Sequence, residues 1–136
     1  MMLASPARFV AVDARVSLPE DPSDLDAGAT LRAIAVGCDG DEYQGAVRVQ
    51  LTDSVLSVSR IFFAAQAWLD GAVVAVLGVI EAEAWARLVP VVRIDLGTAA
   101  AADRQRHILL LGRWGYRQVS DGVLERAFSS SVDVSA

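Results

Sequence analysis

Apolar and polar positions alternate along the first informative stretch of the chain. Val10, Val12, Ala14, Val16 and Leu18 share one parity, and Asp13, Arg15 and Ser17 the other. Period-two alternation is the pattern of a half-buried strand. Residues 19–29, "PEDPSDLDAGA", are rich in Pro, Asp and Gly and read as a surface loop. "TLRAIAVG" and "AVRVQL" then flank a segment containing Asp-Gly-Asp, and two such runs around such a turn predict a hairpin.

The pattern is ambiguous over 53–70. A helix there has Val55, Val58, Phe62, Ala65 and Leu69 on one side and Gly71 after its end. A strand has "VLSVSRIFF" with its β-branched residues. Strands on the N-terminal side tilt the reading towards extended structure. Residues 72–97 read as two strands, or one strand broken at a bulge. Pro90 belongs at an edge or that bulge, because proline cannot donate to a ladder. Residues 98–106 read as a second surface loop, with a short helix as the other option, and 107–119 as a strand. "SDG" is a turn signal, and the chain closes on a strand starting near Val123 and a polar tail. The expected fold is therefore mainly β: one domain over 1–136, an antiparallel sandwich or barrel with room for one short helix, and α+β as the alternative.

Three stretches echo one another: "ARFVAVDARVSL", "VRVQL" and "ARLVPVVRIDLG". Each places an arginine (Arg15, Arg48, Arg93) on the polar face of a strand. A ladder of arginines across one sheet face would read an anion. Aspartates and serines share those faces, however, and the spacing of the echoes is not constant. Shared strand grammar explains them better than a duplicated module.

Composition narrows the classes. The chain has 136 residues, which suits one domain with its own core. Its single cysteine, Cys38, excludes an intramolecular disulfide. Every one of the 12 basic residues is arginine, and asparagine is absent too, a bias that points to a GC-rich source. A formal net charge of −5 and scattered arginines argue against nucleic acid as a partner. The most apolar window, 61–80, is long enough to span a bilayer, but Gln66, Asp70 and Gly71 interrupt it, so no membrane span is expected. The N-terminus lacks the pattern of a signal peptide, and a cytoplasmic location or a place in an assembled particle is expected. An apolar fraction of 54% exceeds the usual ~45–50%. Extra apolar surface is most often a subunit interface.

Candidate chemistry is sparse. Neither acidic loop has the spacing of a calcium loop, and Asp39 and Asp41 are only weak metal candidates. His107 stands alone, with no nucleophile motif, phosphate loop or metal motif in the chain, and a structural role is the simpler reading. No catalytic residue and no cofactor is expected. The aromatic residues say more. Trp85 falls on the polar side of "EAEAWARL" beside Arg87, and Trp114 and Tyr116 share a face in "RWGYR". Tryptophan and tyrosine bury large areas while keeping a polar handle, as contact residues do. These four are the candidate interface or ligand contacts, with a place in the core beside Ile108 and Leu110 as the other reading of Trp114 and Tyr116. Together they predict a non-enzymatic protein working by contact, a homo-oligomeric or virion- or tail-type subunit. A small β-sheet module for a carbohydrate or other small ligand is the alternative.

Overall fold

The computed structural model describes residues 11–21, 23–37, 40–52, 54–97 and 101–127. Seven strands form one sheet in the order β1-β2-β3-β4-β5-β7-β6. The strands are β1 (Ala11–Val16), β2 (Ala29–Gly37), β3 (Glu42–Leu51), β4 (Val55–Phe62), β5 (Val91–Asp95), β6 (Arg117–Ser120) and β7 (Val123–Ala127). The helices are α1 (Ser23–Ala27), α2 (Ala65–Leu69), α3 (Ala72–Ala86) and α4 (Ala101–Arg113). Strands β1 to β4 form an antiparallel meander, β4 and β5 run parallel, and β5, β7 and β6 return to antiparallel pairing. This is an α+β fold, and it replaces the expected β sandwich or barrel.

The alternation holds in the strands and builds the core. Val49 lies opposite Val58, Val58 opposite Ile94, and Ile94 opposite Leu124. All four side chains are buried, so one continuous apolar row crosses four strands. The neighbouring row pairs Leu56 with Val92, both also buried. The predicted hairpin is present as β2 and β3, and the expected first and last strands as β1 and β7.

Most of the corrections fall in the second half. The segment read as two strands over 72–97 is helix α3 followed by β5, with Pro90 in the connection. Ala72, Val76, Ile80 and Ala84 repeat every four residues and are buried with Val73 and Leu77. Valines outside that stripe blur the helical period and raise the apparent strand propensity. Tertiary packing overrides it: α3 lies across β1, β2 and β5. The segment read as a strand over 107–119 is mostly helix α4. The two expected surface loops contain α1 and the start of α4, and 98–100 lie outside the described residues. Over 53–70 both templates were partly right, because β4 gives way to α2. Among the described residues no helix is long and apolar enough to cross a membrane.

Helices α3 and α4 end alike. The amide of Val89 bonds to the carbonyl of Ala84 and that of Leu88 to Trp85; Tyr116 bonds likewise to Leu111 and Gly115 to Gly112. This paired reversal needs a left-handed residue just past the helix. Gly115 supplies it in α4 at φ 100°, and Leu88 supplies it in α3 at φ 61°.

Candidate active site

The parallel pair is the topological exception in the sheet. Its ladder runs from Val55 opposite Val91 to Ser59 opposite Asp95. There β5 ends, while β4 continues through Arg60, Ile61 and Phe62. Beyond Asp95 the two strands part, and a crevice opens outside their carboxyl ends. In open sheets with crossover helices this is where ligands bind.

A bulge shapes that end of β4. Between the pairs Arg48–Ser59 and Ala46–Phe62, two residues of β4 face one of β3. Arg60 sits in the left-handed region at φ 48°. For a residue other than glycine that backbone costs on the order of 1–3 kcal/mol. Gly45 on β3 makes the bulge sterically feasible: a Cβ there would collide with the carbonyl of Phe62 and press on the ring of Phe63.

Two adjoining chambers occupy the crevice. One, of about 320 Å³, is lined by Arg60, Phe62, Trp68, Asp95, Leu96 and His107. The other, of about 130 Å³, is lined by Phe63, Leu69, Asp103, Arg106 and Leu110, again with Trp68 and His107. Ile61, Trp68 and His107 line both chambers and form the partition between them. The Trp68 and His107 rings stack at 3.7 Å and 9°, and Trp114 stacks behind Trp68 at 6.2 Å. Trp68 comes from α2 and is almost fully buried; His107 comes from the second turn of α4 and is half-buried. Burial holds the imidazole below its ordinary pKa of 6.5; Asp103 opposes that shift and Arg106 adds to it. At neutral pH His107 is therefore an uncharged base facing both chambers.

Helix α3 begins shortly after Leu69, which lines the smaller chamber. Its first residue follows Gly71 at φ 89°, and no side chain caps it. The amides of its first turn therefore have no side-chain partner, and its first two residues, Ala72 and Val73, are buried. Asp70 stands next to them, its carboxylate accepting from the Tyr43 hydroxyl at 2.6 Å and the Gln66 amide at 2.8 Å.

Of the residues singled out from sequence none lines either chamber, and Trp114 adjoins them only through its stack on Trp68. Trp85 is on α3 and 55% exposed. Arg87 just past α3 pairs with Glu83 at 2.7 Å. Tyr116 is buried and donates its hydroxyl to Glu81 at 2.5 Å, joining the chain after α4 to α3. Burial and Glu81 push its pKa far up, so it remains a donor. Arg126 completes this tie by bonding the Trp114 carbonyl and Glu81. Among the described residues no group of three potential ligands could hold a metal; Asp39 lies outside them. The three echo arginines do not form a ladder: Arg15 pairs with Asp13 and Arg93 with Glu125, while Arg48 packs against Gly28.

Sequence reasoning missed the crevice. Arg60, Trp68 and Asp95 belong to no motif, and a lone histidine such as His107 reads as structural. What could have found them is the Gly71–Asp70 break inside the apolar window, which starts a helix after a strand.

No family model and no curated protein matches the sequence. Solved structures do match the fold. A Klebsiella pneumoniae protein assigned as an acyl-CoA N-acyltransferase aligns with TM-score 0.55 and 17% identity, over 81% of this chain and 77% of that one. The PaiA N-acetyltransferase of Thermoplasma acidophilum, solved with coenzyme A, aligns with TM-score 0.54 and 14% identity, over 77% and 63%. A GNAT-family acetyltransferase of Elizabethkingia anophelis, solved with acetyl-CoA, aligns with TM-score 0.53 and 12% identity, over 85% and 97%. The chain has the GNAT acetyltransferase fold. That finding overturns the expectation of a non-enzymatic virion-type subunit, and of a β-sheet carbohydrate module, because the architecture it shares is that of acyl-transfer enzymes.

Proposed function

We infer that this chain is an acyltransferase that moves an acyl group from a coenzyme A thioester to an amine, in the crevice between the ends of β4 and β5. The carrying observation is that crevice, opened by a bulged strand at the parallel pair of a GNAT-type sheet. The residues present fit such a donor in two respects. The first turn of α3 offers uncapped amides for phosphate oxygens. The edge of β4 from Arg60 to Phe62, freed of β5, offers backbone groups to an amide-bearing arm. Asp70 is an unfavourable charge for an anion, and its two hydrogen bonds hold its carboxylate in place.

When bound, the donor supplies an activated acyl carbon whose C–S bond breaks as the amide C–N bond forms. The chain's own residues manage protons and water. His107, kept neutral by burial, accepts one proton from the incoming ammonium and returns it to solvent. The second ammonium proton leaves with the thiol. Trp68 and Leu96 keep the wall behind His107 dry, which sharpens each electrostatic contact. Because the chain has no lysine, its side chains offer no primary amine to be acylated in error.

The test is release of free thiol from acetyl-CoA in the presence of a panel of primary amines, with calorimetry of coenzyme A binding alongside. Amine-dependent thiol release that falls at least about tenfold in His107→Gln is expected, the size of a single acid–base contribution being ~100-fold or more. Absence of coenzyme A binding at millimolar concentration sinks this reading.

A further inference from the structure

Among the described residues, the larger chamber carries two opposite charges on a wall that is otherwise apolar apart from His107. Arg60 and Asp95 both line it, together with Phe62, Trp68 and Leu96. Among the described residues neither Arg60 nor Asp95 makes a salt bridge, with each other or with any third group. Asp95 uses one oxygen to accept from the Gly97 amide at 2.9 Å, which orients the carboxylate and leaves the other oxygen open. A cation and an anion that face one cavity without pairing leave a gap that a zwitterion fits.

The backbone supports the same conclusion. Only two described residues other than glycine have positive φ, Leu88 and Arg60. The conformation of Leu88 is accounted for by the helix end it closes. Arg60 closes no helix; its strained backbone sits on the bulge at the chamber mouth. Strain retained at such a place is a mark of function. Phe62 points the same way: it is 65% exposed at the mouth, a large ring left mostly uncovered by the described residues.

We propose that this chamber binds a free α-amino acid with an apolar side chain, its carboxylate on Arg60, its ammonium on Asp95 and its side chain against Phe62 and Leu96. A volume of about 320 Å³ lies at the small end of ligand sites and suits one amino acid. The ammonium then lies in the chamber that His107 also faces. The proposal deepens the acyl-transfer reading, which it needs only to name that nitrogen as the acceptor; binding itself does not depend on a donor.

The experiment titrates the whole chain, without donor, with L-leucine and L-phenylalanine by calorimetry. Phenethylamine, which lacks the carboxylate, and 3-phenylpropionate, which lacks the ammonium, serve as matched probes. Arg60→Gln and Asp95→Asn serve as matched variants; the amide of Asp95→Asn retains an oxygen for the Gly97 N–H, and circular dichroism checks that both variants fold. Each loss, in ligand or in protein, is expected to weaken binding about tenfold or more, as for a hydrogen bond to a charged group. Arg60→Gln leaves phenethylamine affinity unchanged, because that contact is already missing. Equal affinity for L-phenylalanine and phenethylamine overturns the proposal, as does indifference to both variants. Amino-acid binding that persists while no thioester is consumed supports the site and sinks only the acyl-transfer reading.

Discussion

The two halves of β4 contrast within one strand. From Leu56 to Ser59 it is laddered on both sides, and Leu56 and Val58 are buried in rows that cross the sheet. From Arg60 to Phe62 it has lost β5, carries a bulge against β3 and exposes a phenylalanine. The first half builds the core; the second is where the proposed site lies, held in place by the first. A strand can serve both ends because its rigid part fixes where its irregular part points.

The sharpest way to break that contrast is to cut each half in turn. Ile94→Ala, across the ladder from Val58, removes fully buried volume and is expected to cost about 2–5 kcal/mol in chemical denaturation. Phe62→Ala, in the open half, is expected to change stability by less than about 0.5 kcal/mol while weakening ligand binding. The reverse ranking would mean that the crevice end is core. Gly45→Ala tests the junction between the halves. Its Cβ meets the Phe62 carbonyl, so a loss of about 1–3 kcal/mol and a collapse of activity are expected together. Retention of full activity would show that the bulge is not needed.

A gentler probe is pH. His107 is held below 6.5 in the folded chain, so the unfolded chain protonates first as pH falls. Stability contributed by this residue is complete above about pH 6.5 and declines as pH drops towards the folded pKa. Activity follows with an acid limb below pH 6.5. His107→Gln should remove both, read by thermal melting and by a pH–rate profile. The smallest effect is expected at the α3 end. Asp70→Asn takes a negative charge from beside the free amides and should tighten coenzyme A binding about two- to fivefold, in line with ~0.3–1 kcal/mol for a charge at a helix end. Weaker binding would mean that the Tyr43–Asp70 contact matters more than the charge.

The antiparallel half was legible because each strand shows one face to the core and one outward, which writes period two directly into Ala29–Leu51. The parallel half was not. Helix α3 is apolar on most sides, so "AVVAVLGVI" carries no clear period and valines pull the reading towards strand. The same blur hid α4, where "HILLL" reads as strand until its end is seen to need Gly115. The site was hidden for a different reason. Arg60, Trp68, Asp95 and His107 come from four separate segments and meet only through the crossover between β4 and β5. Trp114, expected as a contact residue, lines neither chamber and stacks behind Trp68, whereas Trp85 stays on the outer surface of α3.

That stack has an optical consequence. Of the three tryptophans, Trp68 and Trp114 are packed together beside the crevice and Trp85 stands in solvent. An imidazole lying flat on the Trp68 indole quenches its emission more strongly once it carries a proton. With Trp85→Phe the remaining glow would come from the crevice alone, and the colour and brightness of the molecule would report, without any label, whether His107 is charged and whether the chamber is filled.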